Sequence, residues 1–211
     1  MTRIAQVDRT NVTPELIATF EELESGPEGI GTGPMSILKH SPEMAKRAIP
    51  LFEYVRNESS VPFKLRELAM LITGRTMDCP YIWNRHVGIA RSTDLSNELI
   101  DSIRDRLDLP HMPPEEAIIL RYCTDLLNTK RVSEDVFAKT VNLLGRQGLL
   151  ELTTLLGIYT MLAFNANYVE LDLPENISEP PLPVYNTYSQ RVRSLELQLI
   201  TRKCIRITDL D

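Results

Sequence analysis

The sequence predicts an all-α fold in one domain, residues 1–174, followed by a C-terminal extension, residues 175–211. Three observations predict it. Apolar residues recur at three- and four-residue spacing through most of the chain. Serine or threonine followed by proline and an acid marks two helix starts. No stretch before residue 188 alternates polar and apolar residues as a strand does.

The helices follow one another with clear start and stop signals. Residues 1–12 are polar and predict a loose arm. A helix then begins at the Thr13-Pro14-Glu15 signal, and a glycine-rich loop at 25–33 follows it. The further predicted helices run approximately over 42–57, 62–77, 80–91, 97–103, 114–128, 134–145 and 147–167.

The last predicted helix and the segments beside it carry separate expectations. Gly145 closes the helix before it as a C-cap. The last helix is apolar almost all round, which indicates burial at the centre of the domain or in a subunit interface. Prolines at 174, 180, 181 and 183 end the domain and form an extended connector. The segment 188–211 is ambiguous between helix and strand, and we expect the extension to pack on a neighbouring subunit.

Length and composition limit the classes of function. A chain of 211 residues with 43% hydrophobic and 25% charged residues suits a globular domain with a sizeable core. The net charge of −6 disfavours a nucleic-acid or anionic-membrane partner, and the longest apolar run, 155–164, is too short for a membrane span. Three cysteines without close spacing, and no apolar run after Arg3, favour a reducing, cytoplasmic location.

Two consecutive helices joined by a corner at Met77–Pro80 carry most of the chemistry. Glu67 lies on an apolar face of the first helix and His86 on an apolar stripe of the second. Taken singly, each has a structural interpretation: an ion pair of Glu67 with Arg75 or Arg85, and a satisfied core histidine. Taken together, they predict a buried pair in which the carboxylate orients the imidazole for acid/base chemistry.

Cys79 precedes Pro80 and is predicted to be the N-cap of the second helix. The helix N-terminus should lower the pKa of a thiol at this position. About 10 Å of helix rise separates Cys79 from His86, so we expect no direct contact between them. Ile82 occupies the position one turn before the histidine.

The spacing of Glu67, Cys79 and His86 within LRELAMLITGRTMDCPYIWNRHVGIA resembles the carboxymuconolactone decarboxylase and alkylhydroperoxidase D superfamily. The resemblance extends over residues 35–174. It implies an all-helical domain that assembles as a trimer or hexamer, with the site close to subunit contacts. It also implies a small-molecule substrate and no cofactor.

The peroxidase branch of that superfamily uses a Cys-x-x-Cys pair before the histidine. Its second cysteine corresponds to Ile82, which forms neither a sulfenate nor a disulfide, so that redox cycle is not expected. The pattern Tyr81-x-Trp83-x-x-His86 resembles the decarboxylase branch instead.

Three functions stay open. The first is a cofactor-independent enzyme that decarboxylates, isomerises or cyclises a small carboxylated or lactone metabolite by acid/base chemistry. The second is a thiol peroxidase that uses Cys79, and the third is a catalytically silent oligomeric scaffold. The residues assigned to the site are Glu67, His86 and Cys79 for catalysis and Arg75, Tyr81, Trp83 and Arg85 for substrate binding.

No metal or phosphate site is predicted. Histidines at metal-ligand spacing on one helix are absent, and the GPEGIGTG segment lacks the strand and the Gly-Lys-Ser/Thr of a phosphate loop. His40 and His111 are expected at the surface and Cys123 in the core.

Overall fold

The computed structural model describes residues 2–5, 7–25, 33–173, 177 and 179–183. Within these residues the chain forms eight α-helices and no strand, which confirms the all-α prediction. Their bounds are α1 Ile17–Ser25, α2 Pro34–Leu38, α3 Pro42–Glu53, α4 Phe63–Thr76, α5 Pro80–Arg91, α6 Asn97–Asp105, α7 Pro114–Thr129 and α8 Glu134–Tyr168.

Some element boundaries differ from the prediction. The helix α3 ends at Glu53 and continues as a π-helical turn, Tyr54–Glu58. Pro50 inside α3 has no N–H to donate, which removes one hydrogen bond from that helix. The helix α8 joins two predicted helices, but Gly145 breaks its path with φ 70° and ψ 175°, at the predicted boundary. That positive φ is accessible to glycine at little cost.

The helix α4 forms the centre of the core. It packs against α5, α6, α7 and α8, and every residue from Leu65 to Arg75 is buried. Gly74 allows α5 to come close, because a Cβ there would lie 3.1 Å from the backbone nitrogen of Trp83 and 3.2 Å from Cγ2 of Ile82. The two helices that carry the predicted pair therefore lie side by side.

The corner between α4 and α5 is held by polar contacts. Asp78 has a φ of 47°, and its buried carboxylate accepts from Arg75 and, at 2.8 Å, from Arg106. The Asn167 side-chain amide donates to the Met77 carbonyl at 2.9 Å. The corner thereby fixes the direction in which α5 leaves α4.

The N-terminal arm is not loose, contrary to the prediction. The Arg3 N–H donates to the Val169 carbonyl at 2.7 Å, and Thr2 bonds to Asp172. The Val7 side chain is buried. These contacts join the arm to the end of α8.

The described part of the C-terminal extension packs on its own chain. The Asn84 amide donates to the carbonyls of Glu179 and Pro180, both at 3.1 Å, and accepts from the Leu182 N–H at 3.2 Å. Leu182 is buried. The segment 188–211, including Cys204, lies outside the described residues.

The helix α8 is buried on one side only. Leu152, Leu155 and Tyr159 face the core, whereas Leu150 and Phe164 are 68% and 59% exposed. The helix α8 is long and apolar enough to cross a membrane, as a long core helix also is, and 44% of its most apolar stretch is buried. The all-round burial that the sequence predicts does not occur within one chain.

Candidate functional site

Glu67 and His86 meet between α4 and α5. The Nδ1 atom of His86 lies 3.0 Å from Oε2 of Glu67, and each residue is 3% exposed. An ionised carboxylate only accepts hydrogen bonds, so it selects the imidazole tautomer with the proton on Nδ1. The other ring nitrogen, Nε2, has no hydrogen-bond partner among the described residues. The predicted contact therefore forms and leaves one nitrogen available for proton exchange.

Two aromatic rings line the same place. The Tyr159 ring on α8 meets the His86 ring edge-on, with centroids 5.3 Å apart, and the Phe52 ring on α3 lies 6.2 Å from Tyr159. Burial raises the pKa of Tyr159, the positive charges of Arg56 and Arg85 lower it, and the negative charge of Glu67 raises it. The phenol therefore stays protonated at neutral pH and is a potential hydrogen-bond donor beside the imidazole.

Cys79 is the N-cap of α5, as predicted, but the predicted effect on its pKa is wrong. Burial raises the pKa of this thiol to about 11, although the backbone N–H groups of Ile82 and Tyr81 oppose the shift. The thiol is 0% exposed, and the loss of hydration outweighs the helix N-terminus. Cys123 is also buried, and burial raises its pKa.

The four residues predicted to bind substrate lie in different environments. Arg75 is directed to the corner, where it pairs with Asp78 and donates to the carbonyls of Arg104, at 3.1 Å, and Pro183, at 2.8 Å. Arg85 is exposed and close enough to Tyr159 to affect its pKa.

The two aromatic residues of that set are buried. The hydroxyl of Tyr81 lies against Gly33, because a Cβ on that glycine would be 2.6 Å from it. Trp83 is 0% exposed, and its Nε1 has no hydrogen-bond partner among the described residues. Both side chains therefore contribute to the packing around α5.

No metal cluster is found in the described part of the chain. Groups of three or more histidine, cysteine, aspartate or glutamate side chains that are close enough to hold an ion are absent there. His40 is partly buried and lies 2.8 Å from the Ala5 carbonyl, and His111 is exposed.

Solved structures identify the architecture. A protein of unknown function from Agrobacterium tumefaciens, with a suggested assignment as the antioxidant defence protein AhpD, matches with a TM-score of 0.58 at 18% identity. The match covers 66% of this chain and 96% of that one. A peroxidase-related protein from Silicibacter sp. TM1040 matches with a TM-score of 0.61 at 12% identity, over 82% and 92% of the two chains.

The chain has the alkylhydroperoxidase D-like fold. A variant of the debrominase Bmp8, solved with 2,3,4-tribromopyrrole, shares this fold with a TM-score of 0.59 at 13% identity, over 83% of this chain and 93% of that one. No family model matches the chain. No curated protein matches it either. The resemblance that the sequence predicts is confirmed for the fold.

Tyr159 is a residue of the candidate site that the sequence did not predict. It lies in the apolar run of α8, where it is indistinguishable by periodicity from a core aromatic. Its distance from Glu67 in sequence gives no local signal for their approach.

Proposed function

We propose that the protein is a cofactor-independent enzyme that performs acid/base chemistry on a small carboxylated or lactone metabolite, with decarboxylation as the leading reaction. The observation that carries the proposal is the buried 3.0 Å contact between Glu67 and His86. This contact orients the imidazole and leaves Nε2 free to exchange a proton with a bound molecule.

The reaction proceeds by heterolytic loss of CO₂. The carbon–carboxylate bond breaks, CO₂ leaves, and the electron pair remains on carbon, delocalised into an adjacent carbonyl. The protonated His86 then delivers the Nε2 proton to carbon, and water returns a proton to the imidazole. The phenol of Tyr159 donates to the carbonyl oxygen on which charge accumulates. Isomerisation or cyclisation of a lactone uses the same proton transfers without loss of CO₂.

The test is turnover of a carboxylated lactone such as carboxymuconolactone, followed as CO₂ release. We expect His86→Gln to lower kcat/KM by about 10²–10⁴, the usual contribution of a general acid or base. Wild-type-like turnover in His86→Gln would remove this mechanism.

The thiol peroxidase remains the second candidate, because solved structures with this fold include proteins described as peroxidase-related. The raised pKa of Cys79 disfavours it, since the thiolate is the reactive form. Hydroperoxide consumption with a thiol donor that disappears in Cys79→Ser would establish it. Equal consumption by the wild type and the variant would exclude Cys79 as the reactive group.

We also propose that the protein self-associates through α8. Residues at alternating four- and three-residue spacing line its outer side, as in the seam of a coiled coil. This α8 seam consists of Leu150, Thr154, Gly157, Met161, Phe164 and Tyr168. A Cβ on Gly157 would meet no atom within 4 Å, so a second helix has room to approach. A second copy of the chain fits this seam, because two identical apolar seams bury each other.

The mass of the protein in solution tests whether it self-associates through the α8 seam. We expect Leu150→Lys to dissociate the wild-type oligomer in size-exclusion chromatography with light scattering. Leu107→Lys is the matched control, since Leu107 is 62% exposed and lies outside α8. A monomeric wild type, or an unchanged mass in Leu150→Lys, would contradict the proposal.

A further inference from the structure

Three arginines near Tyr159 have no acidic partner within the described part of the chain. Most arginines in the described part of this acidic protein form ion pairs with aspartate or glutamate, as Arg91 does. Among the described residues, no carboxylate forms an ion pair with Arg56, Arg66 or Arg85. Arg131 and Arg146 are also unpaired within the described chain, but both are exposed to water.

Arg66 differs from the other unpaired arginines in its burial. It is 8% exposed, and its Nε has no hydrogen-bond partner in the described chain. Its Nη1 makes only long contacts to Ser59, at 3.4 Å to the carbonyl and 3.3 Å to Oγ, and its Cζ lies 5.7 Å from the Phe63 ring. A buried cation without a counter-ion is strongly destabilising, so this arrangement calls for an anion.

The two carboxylates whose negative charges act on Arg66 already have other hydrogen-bond partners. Burial lowers the pKa of Arg66, while the negative charges of Glu67 and Glu151 oppose that shift. The carboxylate of Glu67 contacts His86. Glu151 accepts from Tyr54, from the N–H and Oγ of Ser60, and from Gln147. Neither carboxylate neutralises the guanidinium directly.

Arg56, on another element, is linked to the His86 ring by a series of aromatic contacts. It is half-buried, it belongs to the π-helical turn, and its Cζ lies 5.5 Å over the Phe52 ring. That ring contacts Tyr159, which contacts the His86 ring. Single π-helical turns often occur at functional sites, where the wider turn redirects a side chain.

We infer that Arg66 and Arg56 form a binding site for the carboxylate of a small organic anion beside the Glu67–His86 pair. Its place in the reaction rests on the proposed function: the arginines hold the carboxylate group, and Phe52 and Tyr159 contact the apolar part of the molecule. Arginine suits this role because its planar guanidinium donates two parallel hydrogen bonds to a carboxylate. Arg85, at the exposed edge, attracts the anion without enclosing it.

Calorimetric titration with benzoate, and with its uncharged isostere benzamide, tests the site. We expect the wild type to bind benzoate at least about tenfold more tightly than benzamide, and Arg66→Met to abolish that preference. Arg56→Met should weaken benzoate binding less, because its guanidinium remains half-exposed. The control Arg146→Met, an exposed unpaired arginine on α8, should bind both molecules as the wild type does.

Stability separates a binding role from a structural one. If Arg66 is held for a ligand, Arg66→Met removes an uncompensated buried charge and should raise the Tm of the ligand-free protein. Benzoate should then raise the Tm of the wild type and not that of Arg66→Met. A lower Tm for Arg66→Met with wild-type benzoate binding would overturn the inference, as would equal binding of benzoate and benzamide by the wild type.

The same titration distinguishes this inference from the proposed reaction. His86→Gln should bind benzoate within about twofold of the wild type while losing turnover, because Arg66 and Arg56, and not the imidazole, hold the carboxylate. Lost turnover in His86→Gln with unchanged benzoate binding in Arg66→Met would leave the reaction standing and remove the arginine site. Retained turnover in His86→Gln with lost benzoate binding in Arg66→Met would leave the arginine site standing and remove the proposed reaction.

Discussion

Two buried glutamates, Glu67 on α4 and Glu151 on α8, have similar exposure and different surroundings. Glu67 is 3% exposed and contacts a single imidazole, which can itself gain or lose a proton. Glu151 is 5% exposed and accepts hydrogen bonds from Ser60, Tyr54 and Gln147. Burial alone would raise the pKa of Glu151, but these donors lower it to about 2.

The difference lies in the donors rather than in burial. A carboxylate with several fixed donors is a permanent anion, and here it ties the π-helical turn and the loop after it to α8. A carboxylate paired with one histidine belongs to a group that exchanges a proton with its surroundings. Burial alone therefore does not identify a functional acid. The number and kind of hydrogen-bond partners of the carboxylate decide whether it can take part in proton transfer.

The largest expected effect compares the two glutamates by isosteric substitution. Glu67→Gln should lower kcat/KM by about 10²–10⁴, because the amide no longer fixes the imidazole tautomer or its charge. Glu151→Gln is the matched control and should retain turnover at temperatures where it is folded. Steady-state kinetics of both variants on a carboxylated lactone measures the contrast. Equal losses of activity would mean that the two carboxylates do not differ in role.

The buried thiol of Cys79 extends the comparison to an acid whose hydrogen-bond donors do not outweigh the effect of burial. Cys79 has a pKa of about 11, so we expect native-state alkylation by iodoacetamide at pH 8 to be at least about 100-fold slower than in urea. Mass spectrometry of the peptide that contains Cys79 gives the two rates. Rapid native-state labelling would show that the thiol is accessible and would strengthen the peroxidase alternative.

The acid stability of the protein sharpens the role of Glu151. Its pKa is lower in the folded state, about 2, than the ordinary value of 4.5. Its contribution is therefore complete above about pH 5 and is lost as the pH falls towards 2. Glu151→Gln should cost about 1–3 kcal/mol at pH 7 and flatten this dependence. Urea unfolding between pH 2 and pH 7 measures the pH dependence of the free energy of unfolding. If this dependence is the same in the variant and the wild type, Glu151 does not make the contribution assigned to it.

The smallest expected effect concerns Tyr159. Its ring contacts the His86 ring and makes no hydrogen bond to Glu151. Tyr159→Phe removes one donor and should lower kcat about tenfold, with the Tm changed by only a few degrees. Kinetics and thermal unfolding of the variant give both values. A variant with wild-type kcat would limit Tyr159 to packing against Phe52 and His86.

The sequence predicted the local elements and the proximity of the pair. The Ser-Pro and Cys-Pro starts, the corner before Pro80 and the break at Gly145 are all encoded within a few residues. Helical periodicity placed Glu67 and His86 on apolar faces, and a tight corner between consecutive helices brings such faces together. That is why this contact was predictable although 19 residues separate the two groups.

Only the tertiary structure decided how each group is surrounded. Arg66 and Arg75 are both buried on α4, yet Arg75 pairs with Asp78 at the corner and Arg66 has no ion pair within the described part of the chain. The pKa of Cys79 rises because packing removes its water, which the local N-cap signal does not encode. Local spacing fixes which face of a helix a residue occupies. Charge, hydration and hydrogen-bond partners depend on segments distant in the chain, and these determine the chemistry of the site.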